Sequence, residues 1–310
     1  MIDLLIVGAG STGSVIANRA SEDPNRRVLL LEAGPDYDPL NQTPFDLINS
    51  HNNSYKQHDW SLRYSPTHGR DIPFPRGRVT GGSSAVNTSI ALRGMPEDYD
   101  EWASLGNPLW SWDQVLPAFN RLERDLDYGG KDYHGDAGPI LIRRYPHSEL
   151  LPQHQAFLDA AEGLGYPNCP DANDPLSYGA GPQPMIKLGR LRISCAIGYL
   201  APARLRPNLT IRANTLVRRL IIDKRKCVGV EVEIAEGKTE VISAKTIVLS
   251  AGAIMSPAIM MRSGLGPRKQ LEKHGITVLE DIPGVGQNLS DHPAILLLQK
   301  PSRRSTLILH

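Results

Sequence analysis

The chain has 310 residues, with 34 lysines and arginines against 33 aspartates and glutamates, for a net charge of +1. So balanced a surface has no global field to draw in nucleic acid or an anionic membrane, and no apolar run approaches the roughly 20 residues of a membrane-spanning helix. Cys169, Cys195 and Cys227 are odd in number and widely spaced with no C-x-x-C pair, so neither a disulfide framework nor a zinc site is indicated.

In chain order, Asp3 to Val7 is a short apolar run. Gly8-Ala9-Gly10-Ser11-Thr12-Gly13 follows, then a helical pattern that turns Val15, Ile16 and Ala20 inward, then the apolar run Val28 to Leu31 ending at Glu32. Strand, glycine turn, helix, strand and acid in that order predict a dinucleotide-binding unit. The first glycine permits the tight turn, the second lets the backbone approach a pyrophosphate, and the third lets the helix pack on the strand. The exposed amides at the helix start face the phosphates. Glu32 lies nineteen residues past Gly13, where a carboxylate bonds a ribose diol and repels a 2′-phosphate. An ordinary βαβ turn with a glycine helix start fits the same residues. Met1 stands so close to the first strand that no signal peptide fits before it, so the expected location is the cytoplasm.

Asp36 to Asp71 is a polar excursion. Its histidines His51, His58 and His68 lack H-x-x-x-H spacing, and no metal site is expected. The stretch GRVTGGSSAVNTSIALRG, Gly77 to Gly94, sets Gly81 and Gly82 beside Ser83, Ser84 and Asn87, a composition suited to a flat polar ligand. The alternative is a solvent loop entering a helix, with Ser83 or Ser84 as N-cap. From 98 to about 204, helical stretches such as Trp112 to Arg124 and Leu151 to Leu164 alternate with proline-rich loops. Strands return at Leu209 to Arg212, at Val217 to Ile222 and in the alternating Val228, Val230, Val232 and Ile234, with Asp223 to Lys226 as a hairpin turn. The basic runs Arg218-Arg219 and Lys224-Arg225-Lys226 read as solvated strand-end and turn charges. Lys245 to Ser250 is a buried strand leading through Ala251 and Gly252 to a helix with Pro257 at its first position. Ile295 to Leu298 reads as a further strand.

Three distant segments carry a resemblance: RGRVTGGSSAVN at 76–87, GAIMSPAIMMRSGLG at 252–266 and PGVGQNLSDH at 283–292. DYDEWASLG at 98–106 and YHGDAGPI at 133–140 add to it. Together they resemble the glucose-methanol-choline (GMC) family of flavin-dependent alcohol oxidoreductases from residue 1 to about 295. The resemblance implies an α/β fold, α+β overall, with a Rossmann-like FAD-binding domain discontinuous in sequence and an incomplete substrate-binding domain. The expected FAD-binding segments are 1–35, 72–97 and 205–294. Residues 36–71 form a connecting excursion, and 98–204 with 295–310 form part of the substrate domain.

The same resemblance implies the site. Gly8, Gly10, Ser11, Thr12 and Gly13 would hold the pyrophosphate, Glu32 with Ala33 the adenosine ribose, and Val217 the adenine through its backbone; a plain core valine is the other reading of Val217. Val79, Gly82, Ser83, Asn87, Ser89 and Ile90 would line the ribityl chain and isoalloxazine, and Ala251 and Asp291 complete the set. Some relatives attach FAD through a histidine at the position of Val86; a valine has no nucleophile, so FAD is expected to be noncovalent. The implied activity is oxidation of a small-molecule alcohol to an aldehyde or ketone by hydride transfer to flavin N5, with an electron acceptor the residues do not identify. Choline is disfavoured by the absence of an acid in Ala294 to Lys300. The family's catalytic pair has no counterpart in residues 1–310, so the chain is expected to be the cofactor half, with no catalytic residue of its own and His310 as a frayed terminal group. The rival readings are a nicotinamide-dependent dehydrogenase and a noncatalytic or decayed flavin-binding fragment.

Overall fold

The computed structural model describes residues 1–292 apart from Pro39, Asn53, Tyr55, His68, Ala235 and Glu236. The expectations for His68, for Ala294 to Lys300 with its strand, and for His310 lie outside these residues. Strand β1 (Ile2–Val7), helix α1 (Ser11–Ala20) and strand β2 (Val28–Leu31) form the opening unit. Helices α2 (Pro96–Ser104), α3 (Trp112–Leu122) and α4 (Pro152–Gly163) occupy the middle of the chain. Strands β3 (Leu209–Arg212), β4 (Leu216–Asp223), β5 (Lys226–Glu233) and β6 (Thr239–Leu249) lead into helix α5 (Gly252–Arg262).

One six-stranded mixed sheet runs in the order β4-β5-β6-β1-β2-β3. Strand β6 joins its two halves: Thr239 to Ser243 pair antiparallel with β5, and Ala244 to Leu249 pair parallel with β1. Parallel pairing continues from β1 through β2 to β3. Side chains on β1 alternate between two buried layers. Leu5 and Val7 join Leu29, Val230 and Ile259 of α5 on one face, while Ile6 joins Ala17 and Ala20 of α1, Leu30 and Leu200 on the other. Covered on both faces, β2 is buried throughout, which is why VLLL reads as a continuous apolar run.

Several boundaries differ from expectation. Strand β6 begins six residues before Lys245, with Thr239 to Ala244 alternating exposed and half-buried positions. Lys245 to Ser250, expected to be buried, is exposed at Lys245 and Thr246 and half-buried beyond, because β6 is covered less fully than β2. Pro257 lies inside α5, not at its first position; the helix starts at Gly252, where a φ of 84° turns the chain out of β6. No α-helix follows within the second glycine loop. Gly82–Ala85 is a single 3₁₀ turn entered from Gly81 at φ 96°, and Ser84 Oγ donates back to Gly81 O at 2.7 Å instead of capping a helix. The hairpin at Asp223 to Lys226 is present, with Lys224 and Arg225 both left-handed as a tight primed turn requires.

The predicted helix over Trp112 to Arg124 stops at Leu122, and Glu123–Asp125 pairs parallel with Ile140–Ile142. Its two acids turn inward onto a knot of charge. His134 Nδ1 lies 3.0 Å from Glu123 and 3.2 Å from Asp125, and its Nε2 lies 2.7 Å from Asp171. Arg144 sits 2.8 Å from Asp125 and 2.5 Å from Asp171, and Arg93 sits 2.8 Å from Glu123. Burial alone would lower the His134 imidazole, but hydrogen bonds to Asp125, Asp171 and Glu123 outweigh it and push it up to about 10, so the ring is a cation at neutral pH. Asp125 is held well below the usual carboxylate range: burial opposes this, and the His134 and Arg144 hydrogen bonds prevail. Glu123, Asp125 and His134 could in geometry hold a metal ion, a grouping that no histidine spacing revealed. Two arginines and the imidazolium already neutralise the three acids of the knot.

Candidate cofactor-binding site

A cavity of about 460 Å³ opens at the carboxyl ends of β1, β2 and β6, where Val7, Leu31 and Leu249 form its floor. Open α/β sheets bind ligands at this edge. Gly8, with φ 94°, turns the chain off β1 so tightly that a Cβ would lie 2.8 Å from Ser250 O. A Cβ on Gly13 would overlap Gly8 O, so the helix packs directly on the turn. The first turn of α1 has neither a side-chain cap nor an acidic residue, and Ser11 and Thr12 face the cavity. This is an uncompensated positive helix end.

The second glycine loop lies against the first. Gly81 N donates to Ala9 O at 2.8 Å, and a Cβ on Gly82, at φ 55°, would stand 2.6 Å from Gly10 Cα. Gly82 and Ser83 line the cavity, and Ser83 Oγ accepts from Gly77 N at 3.1 Å. Glu32 is buried in the cavity wall beside Ala33. Its Oε2 accepts from Ala9 N and its Oε1 from Gly34 N, each at 2.9 Å. Burial pushes its carboxyl up to about 7 against the pull of those amides. Ala251 lines the opposite wall, and Ser250 Oγ donates to Val7 O at 2.9 Å, tying that wall to β1.

Val217 packs in the apolar layer as a core valine does, and it also borders the cavity. The remaining predicted residues stand outside the cavity wall. Val79 is buried with Leu47, Ala85 and Val86. Asn87 and Ser89 form a tight turn beyond the glycine loop, with Ser89 N donating to Asn87 Oδ1 at 3.0 Å, and Ile90 bridges to Met185. Asp291 reaches the wall through Arg76, whose Nη2 lies 3.1 Å from its Oδ2. Sequence reasoning missed Trp60, Leu62, Arg76, Thr215 and Arg262, all of which line the cavity. Arg76 is the first residue of a quoted motif and was within reach; the excursion residues Trp60 and Leu62 carried no signal. His58 is buried between Tyr37 OH, 2.8 Å from Nε2, and Ser54 Oγ, 3.2 Å from Nδ1. Tyr145 OH reaches His51 Nε2 at 3.3 Å. Among the described residues no helix is long and apolar enough to cross a membrane.

The profile of the GMC oxidoreductase family matches residues 2–294. The chain is 40% identical over 295 residues to the oxygen-dependent choline dehydrogenase of Photobacterium profundum, covering 94% of this chain and 51% of that protein. It is 39% identical over 318 residues to the 5-(hydroxymethyl)furfural oxidase of a Methylovorus species, covering 95% and 58%. Pyridoxine 4-oxidase from Mesorbium loti superposes with a TM-score of 0.85 at 36% identity, over 91% of this chain and 56% of that one. The chain spans about half the length of the curated relatives it matches. It belongs to the GMC oxidoreductase family, whose cofactor is FAD.

Proposed function

We propose that this family member binds FAD noncovalently in the cavity and forms the cofactor half of an enzyme that oxidises the CH–OH group of a small-molecule alcohol. The contact between the two glycine loops at the uncapped start of α1, with Glu32 buried beside it, carries the reading. The residues fit the cofactor. The α1 amides and the cleared backbone at Gly8, Gly10 and Gly82, with Ser11, Thr12 and Ser83, suit a pyrophosphate. Gly13 serves by packing. Glu32 accepts from Ala9 N and Gly34 N, with the Ala33 amide also drawing on it, and its carboxylate keeps lone-pair capacity for a ribose hydroxyl. Val217 and Ala251 border the adenine end, and the loop from Val79 through Asn87, Ser89 and Ile90 flanks the flavin end, with Asp291 braced by Arg76.

Bound FAD would supply the hydride-accepting chemistry that protein side chains lack. The chain's own share is to hold the phosphates with helix and loop amides, to orient the ribose through Glu32 and to keep water from the cavity floor. The burial of Val86 in an apolar cluster supports noncovalent attachment. The sheet is built from 1–35 and 205–250, with 72–97 supplying the second glycine loop. This supports grouping 1–35, 72–97 and 205–294 as the FAD-binding part, 36–71 as the excursion, and 98–204 with 295–310 as the substrate-domain part. Three free cysteines support a reducing compartment, the cytoplasm. Flavin fluorescence titration of the purified protein tests the proposal: saturable quenching by FAD is expected, and its absence refutes the reading.

A further inference from the structure

Arg192 is wholly buried, and its guanidinium grips two separate stretches of chain. Nε donates to Leu47 O at 3.0 Å, and Nη2 donates to Asn49 O at 3.3 Å and to Asn52 O. Nη1 donates to Ser89 Oγ at 3.1 Å and to Asn87 O. One set of acceptors belongs to the excursion and the other to the turn that follows the second glycine loop. A guanidinium is a rigid, planar fork of donors, so these bonds fix the spacing and orientation of the two stretches. The turn needs such a brace. Ser89 is wholly buried at φ 65°, a left-handed conformation that a residue with a Cβ disfavours. Its N–H donates to Asn87 Oδ1, its carbonyl accepts from Ile186 N at 2.8 Å, and Arg192 holds its hydroxyl.

We infer that Arg192 is a positioning residue for the flavin end of the cofactor, acting by locking the Asn87–Ser89 turn in its left-handed form. The inference rests on the FAD reading above. The turn stands behind the cavity wall and is tied to it through Ser83, whose carbonyl accepts from Asn87 N at 3.0 Å, so its geometry carries to the second glycine loop at the end assigned to the isoalloxazine. Arginine is suited to the task and lysine is not, because an ammonium cannot serve acceptors on both sides in one fixed plane.

Hydrogen exchange and flavin spectroscopy of the FAD-loaded protein test the inference. In Arg192→Met, amides of residues 86–90 are expected to exchange faster while β1, β2 and β6 keep their protection. The visible circular dichroism of the bound flavin should change, and FAD affinity should fall on the order of ten-fold, the loss expected from about one charged hydrogen bond. Adding Ser89→Gly should restore the flavin dichroism and most of the affinity, because glycine adopts positive φ without a brace. An arginine that only stabilises the fold would lower the melting temperature, leave the bound-flavin spectrum unchanged and gain nothing from glycine at 89; that result overturns the inference. If Arg192→Met does not accumulate as folded protein, Arg192→Lys keeps the charge, loses the fork and carries the same expectations. Wild-type protein that retains no FAD refutes the cofactor reading and this inference together. Wild-type protein that retains FAD, with variant spectra unchanged, refutes the positioning role alone.

Discussion

Replacing Glu32 by alanine separates two tasks of one carboxylate. Glu32 accepts from Ala9 N and Gly34 N at 2.9 Å, so it pins the glycine turn to the end of β2 whether or not a cofactor is bound. Removal leaves two buried amides unsatisfied, at about 1–3 kcal/mol each. Its remaining lone-pair capacity is the proposed ribose contact. Each hydrogen bond to a charged group is worth about 1.5–3 kcal/mol, so Glu32→Ala should weaken FAD binding by roughly one to two powers of ten, at 1.4 kcal/mol per decade. The assay pairs urea denaturation of the FAD-free protein with flavin fluorescence titration. Both the unfolding midpoint and FAD affinity should fall, and Glu32→Gln, which keeps one amide bond, should lie between the two. FAD affinity unchanged in a Glu32→Ala protein that still unfolds cooperatively would show that the carboxylate is only a brace for the turn, and the ribose assignment would fail.

The folded Glu32 carboxyl, at about 7, lies above its ordinary 4.5, so the folded state holds the proton more tightly. Without FAD, stability should therefore be greatest below pH 4.5 and fall by about 3 kcal/mol as pH rises to 7, a slope that pH-dependent urea melts should find missing in Glu32→Gln. The contribution of His134 runs in a different window: with its ring raised to about 10, it is fully present below pH 6.5 and lost as pH climbs through 10, so melts from pH 7 to 10 should be flatter in His134→Gln. Arg144→Met leaves buried acids uncompensated and should cost about 3–5 kcal/mol in urea denaturation. Gly82→Ala places a Cβ 2.6 Å from Gly10 Cα and should destabilise by about 1–3 kcal/mol while weakening FAD binding, whereas Gly163→Ala, in open space in α4, should leave both unchanged or improve the melting temperature. Acid precipitation of FAD-loaded protein should leave the yellow colour in the supernatant; colour in the pellet would contradict noncovalent attachment.

How far the sequence could be read depended on how far apart the interacting residues lie. The glycine turn and Glu32 act over about thirty residues of βαβ unit, and local backbone geometry dictates their types: a Cβ at Gly8 or Gly13 would strike the neighbouring backbone whatever else the protein did. Strand β2 was equally plain, because it is covered on both faces and has no polar alternation to confuse the pattern, whereas the apolar run before Ser250 read as buried and is only half-buried. Pro257 misled because tertiary packing overrode propensity: Ile259 of α5 is locked against β1 and β4, and the helix runs through the proline to keep that contact. The early start of β6 was hidden because its first residues alternate exposed and half-buried, where burial supplies little signal. The charge knot could not be read, because His134 meets an acid 37 residues away and each of its members alone looks like a solvated charge. Arg192 is the extreme case: its acceptors lie 103 to 145 residues distant and most are backbone carbonyls, which every residue has. Groups that touch a cofactor through a local motif announce themselves by residue type and spacing. Groups that hold such a motif in place through backbone atoms do not, and they become visible only when the chain is folded.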